Sequence, residues 1–325
     1  MKSLPADLAA VCRQMKTERG VGLAVHERPD VDALGAAAGM LDLFAQLGVE
    51  ARLHVDQDES LPFADVLLPP GRVTRGLPPA GHSLYALDSG SLERLALQIE
   101  SWDGTVVNID HHHDNTRFGD VIFVRGAASS TSELVCDIAR ALALRPSSQA
   151  ARALLAGISF DTGHFRHDST SAATFTTAAW LTGGDVSVTS VYSMLYEQGS
   201  LEALRLWARA IDGAQLVAGG RALVATLQRA DYAVAGAGEE ETEGIVDSLR
   251  GVAGVEVAAL VKEQSSGPRV RVSLRANSHD VSAIAALQGG GGHRLAAGFS
   301  SDAGPGEVTA WLSSELEKRL STASC

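Results

Sequence analysis

The run Val21-Gly22-Leu23-Ala24-Val25-His26-Glu27-Arg28-Pro29-Asp30-Val31-Asp32-Ala33-Leu34-Gly35-Ala36-Ala37-Ala38-Gly39-Met40-Leu41 changes its hydrophobic period within a few residues. Val21 to Val25 is a short, continuous apolar segment, the pattern of a buried strand. From Val31 to Leu47 the apolar residues Leu34, Ala37, Ala38, Leu41 and Phe44 to Ala45 recur at the spacing of a helix, and Gly48 is placed as its stop. Between them lies a polar loop stiffened by Pro29. A strand that enters a helix through a tight loop opens a βαβ unit, and the same alternation continues. Val49 to Val55, Ser83 to Leu87 and Thr105 to Ile109 read as strands, and Ser132 to Leu144, Ser147 to Ala156 and Ser171 to Leu181 as helices. The expected fold is α/β, an N-terminal parallel sheet with helices on both faces.

After Gly183-Gly184 the pattern changes. Helices are expected near Val188 to Tyr196 and Ser200 to Ile211, followed by β-rich runs at Ala222 to Leu227, Val255 to Val261 and Val270 to Leu274. A chain of 325 residues exceeds what one hydrophobic core usually serves. We divide it into a first domain over 1–190, a helical connector over 191–214 and a smaller C-terminal α/β domain over 215–325. The composition, 45% hydrophobic and 20% charged, is that of a globular protein. Cys12, Cys136 and Cys325 are few, odd in number and far apart, which supports neither a disulfide framework nor a zinc ribbon and fits a reducing cytoplasm. No apolar run approaches the ~20 residues of a membrane span. The net charge of -12 opposes tracking along long nucleic acid, which needs many cations on phosphates. A small phosphorylated substrate remains compatible, because metal ions and a few cationic side chains can meet its charge locally.

The chemistry gathers at the ends of the predicted strands. His26, Asp30 and Asp32 follow the first, Asp88 the Ser83 to Leu87 run, Asp110-His111-His112 the Thr105 to Ile109 run, and Asp161 is expected at a fourth such end. In open parallel sheets ligands collect outside the carboxyl ends of the strands. Carboxylate oxygen and imidazole nitrogen suit Mn²⁺, Mg²⁺ or Zn²⁺, and Asp30 and Asp32 could serve neighbouring ions from one loop. Taken alone, Asp88 reads as a turn residue or helix cap and Asp161-Thr162-Gly163 as a turn. Taken together, the positions form one ordered pattern.

That pattern, with Asp110-His111-His112 at its centre, resembles the DHH phosphoesterase family over nearly the whole chain. Arg275 through Phe299, with Gly289-Gly290-Gly291-Gly292-His293 and Ala296-Ala297-Gly298, is similar to the DHH-associated domain of the family's short two-domain, NrnA-like group of nanoRNases and pAp phosphatases. The resemblance implies two divalent ions, Mn²⁺ first and Mg²⁺ second. It implies His26 and Asp30 on one ion, Asp32, His111 and Asp161 on the other, Asp88 bridging both, His112 facing the scissile phosphate and Asp110 orienting the histidines. Two positions depart from the family pattern: Val31 stands where glycine is frequent, and Ala36 where serine is common. Neither removes a ligand.

In the second domain, Arg275 at a strand end can grip a phosphate bidentately, and amides of Gly290, Gly291 and Gly292 with His293 can cradle one. The expected activity is hydrolysis of short oligoribonucleotides to nucleoside 5′-monophosphates and dephosphorylation of pAp, by a water activated between two ions. Cyclic di-AMP or a linear dinucleotide is the alternative substrate. A RecJ-like exonuclease, an inorganic pyrophosphatase and a non-catalytic nucleotide-binding regulator fit less well. The sequence is compatible with a homodimer and offers no membrane partner.

Overall fold

The computed structural model describes residues 4–99, 102–197 and 199–321; Cys325 lies outside them. Two compact units are present, Met1–Gln198 and Gly199–Cys325. The first runs α1 (Ala6–Met15), β1 (Gly20–Ala24), α2 (Val31–Gln46), β2 (Glu50–Val55), α3 (Ala64–Leu67), β3 (Val73–Arg75), β4 (Ser83–Leu87), β5 (Val106–Asp110), β6 (Val121–Val124), α4 (Thr131–Ala141), α5 (Ser148–Asp161), α6 (Ala172–Leu181) and α7 (Val188–Tyr196). Its six strands are all parallel, in the order β3-β2-β1-β4-β5-β6. The order reverses between β1 and β4, so the crevice of this sheet opens at their carboxyl ends. β1 and β4 are buried at every position, as strands covered on both faces require.

One face of the sheet packs on helices: Leu23, Leu53, Tyr85, Val107 and Phe123 share a core with Leu34, Phe44, Leu134 and Leu154. Helical cover on the other face, expected from the alternation of strands and helices, is reduced among the described residues to one 3₁₀ turn, Leu92–Arg94, and irregular chain bearing Leu95, Leu97, Ile99 and Trp102. The physical reason lies in β1, where the side-chain-free backbone of Gly20 and Gly22 lets His82 and Pro78 lie directly on the strand. Serines start four of these helices, α4 to α7. Ser130, Ser147, Ser171 and Ser187 each accept a backbone N–H of the helix they precede, which meets the orphan donors of its first turn.

The second unit runs α8 (Leu201–Asp212), β7 (Gln215–Val217), β8 (Ala222–Leu227), α9 (Arg229–Ala235), α10 (Ile245–Arg250), β9 (Val257–Glu263), β10 (Val270–Ala276), α11 (Ser282–Ala286), β11 (Gly291–His293), β12 (Ala296–Ser301) and α12 (Pro305–Ser321). Its sheet is mixed, ordered β11-β12-β10-β9-β8-β7 with only β8 and β9 parallel. Val257, Val261, Val272 and Leu274 pack under Leu312 and Leu316 of α12, and Leu223, Ala258 and Leu260 under α8, α9 and α10. The stretch 191–214 divides between the units: α7 packs in the first through Val191 and Leu195, α8 in the second through Leu206 and Ala210. No helix among the described residues is long and apolar enough to cross a membrane.

Candidate metal centre

The loop after β1 is organised by the start of α2. Asp30 caps that helix, its Oδ1 accepting the N–H of Asp32 at 2.9 Å and of Ala33 at 3.1 Å. His26 Nδ1 lies 2.8 Å from the Glu27 carbonyl, an oxygen that can only accept, so Nδ1 carries a proton and Nε2 is the atom presented to the carboxylates. That Nε2 is 3.8 Å from Asp30 Oδ1 and 3.7 Å from Asp88 Oδ2. Asp88, the first residue beyond β4, is held at φ 57°, an unusual conformation for a non-glycine residue, and its N–H donates to Ile109 at 3.0 Å. Its other oxygen, Oδ1, is 3.5 Å from His111 Nε2. The two oxygens of Asp88 thus face different histidines.

Asp110 ends β5 with both oxygens engaged. Oδ1 accepts the His111 N–H at 2.8 Å and lies 2.7 Å from His112 Nδ1, while Oδ2 accepts from Asn115 Nδ2 at 2.6 Å. The imidazole of His112 is therefore fixed with Nδ1 protonated and Nε2 turned outward. His111 Nε2 is 3.0 Å from Asp161 Oδ2. Asp161 corrects one expectation: it is not at a strand end but is the last residue of α5, which continues past Ala156. No proline interrupts it, and Gly157 is kept in the helix because α5 passes too close to α2 and α4 for a side chain. A Cβ at 157 would lie 2.2 Å from Ser132 Oγ and 2.6 Å from Asp32 Oδ1.

Asp32 is fully buried and sits on the first amides of α4, with Oδ2 accepting from Thr131 N at 2.7 Å and Oδ1 from Ser132 N at 3.0 Å. The Thr131 hydroxyl donates to Asp88 Oδ1 at 2.9 Å. One helix N-terminus thus orients two acidic side chains, in keeping with the favourable field there. Thr131, Ser132, Asn115 and Gly157 were not singled out in the sequence. The capping pattern of Ser130 and Glu133 is the signal that could have located α4's start.

Ligand atoms converge in three overlapping groups: His26 with Asp30 and Asp88, Asp32 with His111 and Asp161, and Asp88 with Asp110, His111 and His112, the atoms of each lying within 4.8 Å of one another. The electrostatics show a site short of positive charge. Burial, then Asp88 and Asp30, push Asp32 up to about 7; burial, then Asp30 and Asp161, push Asp88 up to about 7. Burial, then Asp32, raises Asp161 to about 6, even though its partner His111 opposes the shift. Burial alone would lower the histidines, but Asp30 and Asp88 lift His26 to about 9, and Asp161, Asp32 and Asp88 lift His111 to about 10. Both members of the His111–Asp161 pair are raised, Asp161 by burial and then by Asp32 beside it, His111 by its hydrogen bond to Asp161 and then by Asp32. Among the described residues these carboxylates form ion pairs with histidines alone. The donor set of carboxylates and imidazoles, with excess negative charge, fits divalent cations.

A pH dependence follows. These groups bind protons more tightly folded than unfolded, so the stability they contribute is complete below their unfolded values and is lost as pH rises through about 7 for the carboxylates and 9 to 10 for the histidines. Metal-free protein is expected to melt lower at pH 8.5 than at pH 6.5, by roughly 5 °C, while added Mn²⁺ removes the difference. Thermal melts with chelator and with Mn²⁺ check this. A metal-free melting temperature that is flat or rises over that window would overturn it.

In the second unit, cross-strand pairing aligns the expected binding residues. Arg275 on β10 and His293 on β11 both pair with Ala296 of β12, so the three share one row and one face of the sheet. The next row holds Ser273, Gly298 and Gly291, and the third holds Lys262, Arg271 and Ser300. Lys262 and Arg271 extend the cationic face, with the Ser273 hydroxyl between the rows, and the alternation Val270-Arg271-Val272-Ser273-Leu274-Arg275 is the signal in the sequence that could have shown it. Arg275 Nε also lies 3.5 Å from Asp247 Oδ1. Within the glycine run, a Cβ at Gly290 would meet the Gly298 carbonyl at 2.3 Å and one at Gly292 the Ala296 carbonyl at 2.6 Å, so both are required by the hairpin itself. Gly291 faces open space and His293 is exposed.

Residues 21–158 match the DHH family, N-terminal domain, and residues 219–322 match the DHHA1 domain. The bifunctional oligoribonuclease and PAP phosphatase NrnA of Thermus thermophilus is 32% identical over 292 residues, covering 89% of this chain and 86% of that protein. A probable protein of the same description from Streptococcus mutans is 29% identical over 276 residues, with 85% and 87% covered. Among solved structures, an exopolyphosphatase-related protein from Bacteroides fragilis aligns over 99% of both chains with a TM-score of 0.84 at 18% identity, a likeness of fold. With a relative this similar along most of both chains and the two domains matched in order, the chain belongs to the DHH phosphoesterase family, hydrolases acting on phosphate esters.

Proposed function

We propose that this protein hydrolyses short oligoribonucleotides to nucleoside 5′-monophosphates and removes a phosphate from pAp, using two divalent ions. His26 and Asp30 hold one ion, Asp32, His111 and Asp161 the other, and Asp88 is shared. What supports this reading above all is the position of Asp88, whose Oδ2 faces His26 at 3.7 Å and whose Oδ1 faces His111 at 3.5 Å. Imidazole nitrogen in both sets favours Mn²⁺ over Mg²⁺, which prefers oxygen ligands and retains its waters. Such ions polarise phosphate oxygens and make water a nucleophile near neutral pH.

The protein's own groups do the rest. Hydrogen bonding to Asp110 raises the pKa of His112, which favours the form with a proton on Nε2 for donation to a phosphate oxygen or the leaving oxygen. Asp110 holds that imidazole through Nδ1 and stays ionised, since His112 and Asn115 outweigh the effect of burial. Arg275, His293 and the hairpin at Gly291 and Gly292 bind a phosphate other than the reacting one; Gly290 shapes that hairpin, its N–H already donated to the Ala285 carbonyl at 3.0 Å. The net charge of -12 disfavours long polyanions, so short substrates are expected to react best.

Assays with Mn²⁺ on pAp, di- to tetraribonucleotides, cyclic di-AMP, pyrophosphate and a long oligonucleotide test the reading. Rates should fall from the shortest strands to the long one; equal or faster, processive cleavage of the long strand would support an exonuclease instead. Preference for cyclic di-AMP would move the assignment to signalling dinucleotides. Arg275→Ala should lower kcat/KM on nucleotides about ten- to hundredfold, the worth of a charge-assisted hydrogen bond. A small phosphodiester with no second phosphate should lose nothing. Equal losses on both substrates would put Arg275 in the chemical step.

A further inference from the structure

Within the first unit, a cavity of about 350 Å³ is lined by His111, His112 and Asp161 of the metal centre together with residues to which no role has yet been given. Its walls include His112, His113, Gly126, Ala128, Asp161 and Ser169. That volume lies near the lower end for ligand pockets and suits one nucleoside-sized group rather than a dinucleotide. Charge narrows the choice further. The lining contains Asp114 and Asp161 but no lysine or arginine, and its two raised histidines are already paired, His111 with Asp161 and His112 with Asp110, so nothing there is free to grip a second phosphate. In a nucleotide substrate, the uncharged group joined to the reacting phosphate is ribose with its base.

His113 supplies a surface for that base. The Nδ1 edge of its ring lies so close to residue 126 that a Cβ there would be 2.4 Å from Nδ1 and 2.8 Å from Cε1. Gly126 has no left-handed backbone that would call for glycine, so the approach of this ring is what its missing side chain accommodates. One edge of the ring thus lies against the bare backbone of Gly126, while the residue remains exposed. Histidine faces stack on bases, and such stacking tolerates any base because each has a π-face.

We propose that this cavity is a nucleoside subsite, with His113 stacked on the base adjoining the reacting phosphate. The assignment rests on the reading of the neighbouring cluster as a nucleotide phosphoesterase centre. Calorimetric titration of Mn²⁺-loaded protein with AMP and with ribose 5-phosphate tests it. Wild type should bind AMP roughly 5- to 150-fold more tightly, the range expected for one stacked base. His113→Ala should bring the two affinities together, Gly126→Ala should do so by displacing the ring, and His113→Phe should keep the preference. Equal affinities in wild type, or a preference that survives both His113→Ala and Gly126→Ala, would overturn the subsite. A wild type that hydrolyses neither a diribonucleotide nor pAp would instead sink the reading of the cluster as a nucleotide phosphoesterase centre, whatever the two affinities are.

Discussion

Asp88→Asn is expected to abolish metal-dependent hydrolysis while leaving the fold intact. The side chain faces two ligand groups at once, so its loss weakens both ion positions together. Metal assistance is worth several kcal/mol, and each 1.4 kcal/mol is tenfold, so a fall of roughly 10³-fold or more in kcat is expected. Asparagine tolerates the left-handed backbone at φ 57° and keeps an oxygen for the Thr131 hydroxyl, whereas Asp88→Ala adds backbone strain. Metal-free Asp88→Asn should be no less stable than metal-free wild type, because it removes a buried charge repelled by Asp30 and Asp161. Kinetics, metal titration and melts with chelator separate these effects. Near-normal turnover, or unchanged affinity for Mn²⁺, would refute a shared ligand.

Gly157→Ala is the second large effect. Alanine favours an isolated helix by up to about 1 kcal/mol over glycine, but here its Cβ would sit 2.2 Å from Ser132 Oγ, 2.6 Å from Asp32 Oδ1 and 3.0 Å from Asp32 Cα. Either α5 moves outward, carrying Asp161, or Asp32 leaves the amides of α4. A displacement of about 1 Å in a reacting constellation costs on the order of 10²-fold. The control is Gly39→Ala, which meets Leu154 Cδ2 at 2.6 Å in the same packing layer and touches no ligand. Both variants should lose stability, but only Gly157→Ala should lose kcat and Mn²⁺ affinity. Equal kinetic losses in the two variants would make the effect one of general packing.

Period and end residues read four of the first sheet's six strands from the chain, β1, β2, β4 and β5, but not the short edge strands β3 and β6. Val21 to Val25 followed by a helical pattern from Val31, and apolar runs ending at Asp88 and Asp110, place acidic and histidine side chains where strands stop, because strand and helix periods are local properties of sequence. The same local signals set α7 at Val188–Tyr196 and β8 at Ala222–Leu227. The cover of the sheet's second face was not legible, since it depends on irregular chain lying on Gly20 and Gly22 rather than on a helix.

The setting of the ligands was likewise a tertiary outcome. Asp161 reaches the cluster from the end of a helix, and Asp32 is held by amides 99 and 100 residues away in sequence, Asp88 by a hydroxyl 43 residues away. Backbone amides carry no residue identity, and a glycine retained for a close approach looks in sequence like any other glycine. Local pattern therefore named the side chains that could bind a cation. Only the packing of α2, α4 and α5 fixed which oxygen of each carboxylate is free and which histidine it faces, because those choices are made by contacts between segments that share no sequence neighbourhood.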